Sequence, residues 1–549
     1  MTCTRFAGSL LPNLLEVNYM FKILVADSVA KEGLEAFKAY KDITVDVKTG
    51  LPPEELSKII GDYDGLVVRS ATQFKGEVVD KALKMKVVGR AGAGVDNIDV
   101  PLATKKGIVV MNTPGGNSEA AAELAVSMIM SLSRNIVAAT MSMKDGKWEK
   151  GKFEKTSVEV AGKTLGVLGL GNIGTLVANM GMGLKMEIAA YDPFLTEERA
   201  AILGVKKYAT VEEVFQVADY VTLHLPKNEQ TVNLVNKDSI AKMKDGVYVI
   251  NCARGGIVNE KDLLDALNSG KVKGAGLDVF EKEPVDPESF LVKHPNVICT
   301  PHLGASTVEA QVNVAVAIAK QIGDYLTKGE IKAAVNIPNL DSNTREIITP
   351  YVSLSKKIGD LYRQFANMNL SLIELEYAGE VYNLPENPIT HAFLIGLLKD
   401  VTEGINFVNA PSIAKDMGIK VIESKKNESL DYASQITLTA HHKEGKTVIT
   451  GAVFKEGMQR IVGIDDFKVD LAPEGNFLLT INNDIPGFIG SIGTLIGEAN
   501  LNIANMELGR NGNKEAMSFI QIDDEIPNSL LEKIAKNVTA LKKVYRIKL

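Results

Sequence analysis

His302, Glu283 and Arg254 are the residue types that oxidation of an alcohol beside a carboxylate requires. A histidine, with an ordinary pKa of about 6.5, can take the hydroxyl proton as a base near neutral pH. Glu283 can hydrogen-bond the far ring nitrogen, fixing the tautomer and stabilising the imidazolium as it forms. Arg254 can hold a carboxylate in its planar fork and polarise a developing carbonyl oxygen. Each has a plain alternative, a satisfied strand-end histidine and a Glu–Arg ion pair. Position favours chemistry. The apolar runs Val247–Ile250, Ala275–Leu277 and Val297–Thr300 read as successive strands. They deliver the three residues at or just beyond their carboxyl ends, where open α/β sheets bind ligands. His224, closing VTLHL before Pro226, has no evident acid partner and reads as a packing residue near the site.

The electron acceptor is legible in Gly162–Asp192. Thr164–Leu170 is a short apolar strand pattern, and Gly169, Gly171 and Gly174 follow in G-x-G-x-x-G spacing. The first glycine permits the tight turn, the second lets a pyrophosphate approach the backbone, and the third lets the helix pack closely on the strand. The helix opening near Ile173 supplies free N–H groups and a positive dipole end for the phosphates. A second strand, Glu187–Tyr191, ends in Asp192, placed to bind ribose hydroxyls and to repel a 2′-phosphate. The acid in that place favours NAD over NADP.

These elements sit in a chain of 549 residues, long enough for three or four domains. Its 45% hydrophobic and 23% charged residues suit a globular protein with ample core, and a net charge of −7 with no basic block argues against nucleic acid or anionic membrane as the main partner. The apolar stretch Ala120–Leu132 carries Glu123 and is too short for a membrane span. Cys3, Cys252 and Cys299 are scattered without metal-ligand spacing, so no metal site is expected and a reducing compartment, the cytoplasm, fits best. Met1–Tyr19 lacks a clean apolar core with a cleavage site and reads as an extension or an upstream start.

Residues 21–118 alternate strands and helices as one doubly wound α/β unit. Arg69, followed by Ser70, and Arg90 fall at strand ends there and suit an anionic substrate, although solvated surface ion pairs are the alternative. Ser118 is placed to cap a helix over Glu119–Arg134. Residues 345–470 mix helices (Pro350–Phe365, His391–Asn406) with β-like runs (Ser371–Tyr377, Ser434–Ala440, Val448–Phe454). Residues 476–549 read βαββαβ, a small ferredoxin-like sandwich with no catalytic constellation of its own.

GLGNIG, YDP, NCARGGIV, LDVFEKEP and PHLGAS, in this order, resemble the D-2-hydroxyacid dehydrogenase family over about residues 21–335. VRSAT, VGRAGAGVDNID, NTPGGNSEAAAE and MKDGKWEKGKFE, with VNAPSIAKDMGI from Val408, resemble its long-form branch acting on 3-phosphoglycerate. The resemblance implies two doubly wound Rossmann-like domains, then an α+β intervening domain and a ferredoxin-like ACT domain. Residues 20–118 and 303–338 form a flavodoxin-like substrate-binding domain in that scheme, and 119–302 the NAD-binding domain. The intervening domain is 339–472 and the regulatory domain 473–549.

It also implies NAD-dependent oxidation of 3-phospho-D-glycerate to 3-phosphohydroxypyruvate, opening L-serine synthesis, with Arg254, Glu283 and His302 as the catalytic set. Around NAD it places Gly169, Gly171, Asn172, Ile173, Gly174, Asp192, Leu225, Cys252, Ala253, Arg254, Asp278, His302, Leu303, Gly304 and Ala305. Ala93 and Leu225 stand where relatives often carry threonine. Arg69, Ser70, Arg90, Asn117 and Ser118 would hold the substrate, and Arg134 would reach a neighbouring subunit's site in a homodimer or homotetramer. Asn482, Asp484 and Asn502 would take L-serine as a feedback effector at a subunit interface. Two other readings remain: a dehydrogenase of another 2-hydroxy acid such as glyoxylate or 2-hydroxyglutarate, and an NAD-sensing corepressor-type protein.

Overall fold

The computed structural model describes residues 19–549 apart from 338–339, 341, 367, 402–403 and 429–430. The first 18 residues with Cys3, the expected boundary at 339 and the polar break at Asp341 lie outside the described residues.

Five parallel strands form the first sheet: β1 (Phe21–Val25), β2 (Ile43–Val47), β3 (Gly65–Val68), β4 (Val87–Arg90) and β5 (Val109–Met111), in the order 2-1-3-4-5. This is the flavodoxin-like order. Its inner strands are Val- and Leu-rich and buried, as strands covered on both faces must be. One covering helix comes from far along the chain. Val308–Lys328 lays Val314, Ile318 and Ile322 against Ile23, Val67 and Val109. It comes so close that a Cβ on Gly89 would lie 2.6 Å from Ile318 and one on Gly33 2.7 Å from Ala315. After this helix, Asn336 accepts from Val110 N (2.9 Å) and donates to Ile108 O (2.9 Å), tying the chain to β5.

Seven parallel strands form the second sheet: β6 (Thr164–Leu168), β7 (Glu187–Tyr191), β8 (Lys206–Lys207), β9 (Tyr220–Leu223), β10 (Val247–Asn251), β11 (Val272–Leu277) and β12 (Val297–Cys299). Their order, 12-11-10-9-6-7-8, reverses direction between β6 and β9. At such a reversal two crossovers leave to opposite faces and open a crevice at the carboxyl ends. The helix entering this unit is Ser118–Ser133. Asn117 is its N-cap and makes no side-chain capping bond, so Ser118 is the first helical residue rather than the expected cap.

The third sheet is mixed and has six strands: β13 (Leu370–Gly379), β14 (Lys420–Lys426), β15 (Ser434–His442), β16 (Gly445–Val453), β17 (Gln459–Ile464) and β18 (Phe467–Leu471). Helices Ser342–Phe365 and Glu386–Leu398 cross beside it at close range, with Gly359 against Phe393 O and Gly396 against Lys356 O. The first of these helices starts before Pro350, which lies inside it, and the second starts and ends earlier than the expected His391–Asn406. Pro388 falls in the opening turn of that second helix, where proline costs no hydrogen bond. The last unit, β19 (Asn476–Asn483), β20 (Ile503–Arg510), β21 (Glu515–Ile522) and β22 (Leu541–Lys548), is antiparallel in the order 20-21-19-22 with two helices on one face. Its other face joins the third sheet's core through Phe477, Leu479, Met517 and Phe519. Among the described residues no single helix is long and apolar enough to cross a membrane.

Candidate functional site

Each glycine of the fingerprint does what its spacing requires. Gly169 has φ +91°, and a Cβ there would lie 2.4 Å from His224 O. A Cβ on Gly174 would sit 1.8 Å from Gly169 O, so only glycine allows the helix to start this close to the strand. Gly171 has nothing within 4 Å on its Cβ side. The space it leaves opens into a cleft lined by Gly115, Ser118, Leu170, Asn172 and Arg199. Helix Asn172–Gly183 begins here, its first bond running from Thr175 N to Gly171 O. The N–H groups of Asn172, Ile173 and Gly174 are therefore the ones a helix leaves for an outside acceptor.

Asp192, at the end of β7, accepts from Leu170 N and Phe194 N (both 2.8 Å), which fixes its carboxylate beside the glycine turn. These residues fit NAD: a bare backbone for the pyrophosphate and an oriented acid for the ribose. Leu225 packs under the turn, its Cδ2 beside Gly169. Among the described residues no group of three or more His, Cys, Asp or Glu is arranged to hold a metal ion.

The strand-end residues are equally constrained. His302 Nδ1 donates to Glu283 Oε2 at 2.8 Å, and the other carboxylate oxygen accepts from Phe280 N at 3.1 Å. An ionised carboxylate only accepts, so the imidazole proton stays on Nδ1 and the Nε2 lone pair is free. His302 has φ +56°, a left-handed backbone uncommon for a side-chain-bearing residue. Asp278 maintains it. Its carboxylate is fully buried and accepts from the Thr300 hydroxyl (2.5 Å), Leu303 N (2.6 Å) and Gly304 N (2.8 Å). Asp278 thus shapes the turn that presents His302, a role that its implied place around NAD does not describe. Truncating it (D278A) leaves three donors of the turn unmet, that of Gly304 buried, and should cost about 2–3 kcal/mol, read as a lower urea midpoint.

Arg254 is presented in the same way. Asn251, buried at the end of β10, donates to Arg254 O (3.0 Å) and accepts from Ala253 N (3.1 Å), closing the turn over Cys252 and Ala253. Cys252 lies against Met128, and burial raises its thiol pKa, which keeps it protonated and inert.

Across the crevice the first sheet contributes Arg90. A Cβ on Gly94 would lie 2.2 Å from an Arg254 terminal nitrogen and 2.8 Å from one of Arg90, so the two guanidinium groups converge on this glycine. Asp96 lies beside them, its carboxylate 3.3 Å from Arg254 Nε. Burial lowers the pKa of Arg90. The Asp96 charge opposes that shift, and Arg254 and Arg69 add to it by repulsion. Arg90 Nε donates to Arg69 O (3.1 Å), and the Arg69 backbone N–H donates to Asp27 (2.6 Å). Asp96 and Asn251 are functional candidates that the sequence reading missed. Only their neighbours in VDNID and NCARGG carried a signal.

Ser70 follows Arg69 at the end of β3. Ser118 lines the cofactor cleft, and the side-chain oxygen of neighbouring Asn117 is buried with no partner among the described residues. Arg134 lies at the far end of helix Ser118–Ser133, about 24 Å from Ser118, and does not reach this crevice. His224 shares a hydrogen bond with Thr222 (3.0 Å), and burial pulls its pKa down to about 4, which leaves it neutral at working pH.

In the last unit the expected effector residues do not converge within one chain. Asn482 and Asp484 sit where β19 ends. Asn502 precedes Ile503, which pairs through Ile522 with the start of β19 at Asn476, roughly 20 Å away. Asp484 is ion-paired to Arg510 (3.2 Å), Asn502 donates to Asp523 (2.7 Å), and Asn482 is buried.

The family described as D-isomer specific 2-hydroxyacid dehydrogenase, NAD binding domain, matches residues 126–304. The D-3-phosphoglycerate dehydrogenase intervening domain matches 347–465, and the ACT domain 477–539. The chain is 42% identical over 533 residues to D-3-phosphoglycerate dehydrogenase of Synechocystis sp., covering 96% of this chain and 95% of that one. It is 38% identical over 519 residues to the enzyme of that name from Archaeoglobus fulgidus, covering 94% and 98%. Among solved structures, a glyoxylate reductase from Paecilomyes thermophila superposes with a TM-score of 0.52 at 30% identity, covering 57% of this chain and 98% of that one.

Proposed function

The chain belongs to the D-3-phosphoglycerate dehydrogenases, NAD-dependent oxidoreductases, and on that footing we propose that it oxidises 3-phospho-D-glycerate to 3-phosphohydroxypyruvate, the opening step of L-serine synthesis. The observation that carries the substrate reading is the convergence of Arg90 and Arg254 from two different sheets. Two guanidinium groups on one crevice suit a substrate with an anion at each end.

In this reading Arg254 takes the substrate carboxylate, exchanging it for the weaker contact with Asp96, and Arg90 with Arg69 takes the phosphate. His302 Nε2 accepts the C2 hydroxyl proton, and Glu283 stabilises the resulting imidazolium through Nδ1. NAD, when bound, accepts the hydride from C2. The chain's own contribution is to hold the alcohol between base and arginine, so that O–H and C–H bonds break toward fixed acceptors.

Arg90→Met should raise KM for 3-phosphoglycerate by about 10- to 100-fold, the value of a lost charge-assisted contact. KM for unphosphorylated glycerate should change far less. Equal effects on both substrates would remove Arg90 from phosphate recognition.

Feedback by L-serine belongs to the same reading, supported by the ACT match and by the polar turns at Asn482, Asp484 and Asn502. Their separation within one chain fits a pocket completed by a second copy, as the resemblance implies. Helix Ile136–Lys144 with Trp148 exposes Ile136, Met141 and Met143, an apolar face suited to a second copy, and Arg134 lies beside it. We place the chain in the cytoplasm, as its few scattered cysteines suggest. Initial rates measured against added L-serine, with mass measured in solution, test both points.

A further inference from the structure

A cavity of about 90 Å3 lies away from the crevice, at the seam between the first sheet and the third-sheet unit. Elements of both units wall it. Val109 comes from β5 and Tyr325 from helix Val308–Lys328. Arg345 and Ile348 come from helix Ser342–Phe365. His391 and Phe407 belong to helix Glu386–Leu398 and the loop after it. The seam is held on one side by Asn406 donating to Gly107 O (2.9 Å) and by the Lys105–Asp416 ion pair (2.9 Å).

The walls are mainly carbon, and the polar side chains among them are those of Tyr325, Arg345, Thr349, His391 and Asn406. His391 donates from Nδ1 to Phe407 O (2.9 Å). Arg345 Nη2 donates to Ile331 O (2.9 Å) and more distantly to Leu340 O (3.5 Å), and among the described residues no carboxylate pairs with it. A space this size exceeds the 10–15 Å3 or so that one water needs, and apolar walls offer ordered water too few partners. The occupant therefore needs an apolar body. One guanidinium with no carboxylate partner among the described residues suits a single anionic head. A phosphorylated acid, with two or three charges, would leave charge unpaired against carbon.

We propose that this seam is a ligand site for a small monocarboxylate with a short apolar tail, roughly six to eight heavy atoms, its carboxylate on Arg345 and its tail between Ile348, Val109 and Phe407. Such a ligand touches both units at once and stabilises their docking by mass action. Helix Val308–Lys328 begins just past the His302–Ala305 turn and carries Tyr325 into the cavity wall, so one rigid element joins the two sites.

The probe is 3-methylbutanoate, with 3-methylbutan-1-ol as the uncharged control. In the full chain carrying W148F and F407W, the only indole lies in the cavity wall. Its emission should shift saturably with half-saturation at about 0.1–10 mM, the range for a ligand of this size. Adding R345Q should weaken binding about 10-fold or more, and the alcohol should bind less well than the acid. No saturable shift, equal titration by R345Q, equal binding of the alcohol, or tighter binding of 3-phosphoglycerate at the indole would each overturn the proposal. The chain without the indole provides an independent check. 3-Methylbutanoate should raise its Tm and that of R254Q, but not that of R345Q. A rise that disappears in R254Q instead would assign the binding to the crevice and overturn the proposal.

Discussion

Replacing His302 with alanine is expected to lower kcat for 3-phosphoglycerate by about 10³-fold while NAD affinity stays within about twofold. The reason is geometric. Glu283 occupies Nδ1 at 2.8 Å, so Nε2 is the ring's remaining proton acceptor. The imidazole that follows β9, His224, is held neutral by burial, with its pKa down at about 4, and already shares a bond with Thr222. It cannot replace the lost base. The cofactor's groups, Gly169–Gly174 and Asp192, belong to the β6–β7 unit and do not depend on the His302 side chain. Stopped-flow rates and NADH titration by fluorescence separate the two quantities. A variant that keeps wild-type kcat would remove His302 from proton transfer. Loss of NAD binding in step with kcat would make its role structural.

Arg254→Lys is the second large effect. It is expected to lower kcat/KM by about 10²- to 10³-fold, because lysine keeps the charge but loses the planar fork that aligns a carboxylate and polarises the neighbouring oxygen. The turn itself should survive. Asn251 grips the backbone of residues 253–254 rather than the guanidinium, so circular dichroism and Tm should match the parent. The loss should be shared by every 2-hydroxy acid tested, in contrast to Arg90→Met, which discriminates by phosphate. A loss confined to KM would place Arg254 in ground-state binding alone.

The fingerprint and the strand-end triad were legible because each rests on local rules: glycines at a turn, apolar runs of strand length, a functional residue where the run stops. β10 and β11 end within a residue or two of the reading. Asp278 and Asn251 were harder to interpret. Their work is to accept or donate across a turn, and nothing in DVF or NCA distinguishes that from cofactor contact. Asp96 was missed because its partner lies on another sheet, and no sequence periodicity links Asp96 to Arg254. β14, β17 and β18 were also unread. KVIESKK carries charge along a solvent-facing edge, as exposed edges require, and so lacks the alternation that marks a half-buried strand. Asn482 and Asn502 were assigned by resemblance to an effector site at a subunit interface, and pairing register sets them at opposite ends of the sheet within one chain.

The central claim is that this crevice oxidises a phosphorylated 2-hydroxy acid with NAD. NADH formation by the purified full-length chain, from 3-phosphoglycerate and in parallel from glycerate and D-lactate, tests it most directly. Turnover with 3-phosphoglycerate at a kcat/KM at least about 100-fold above the unphosphorylated acids is the expected result, given two charge-assisted phosphate contacts. No NADH from 3-phosphoglycerate, and no NADH consumption with 3-phosphohydroxypyruvate, would contradict the claim while leaving the fold and the NAD site intact.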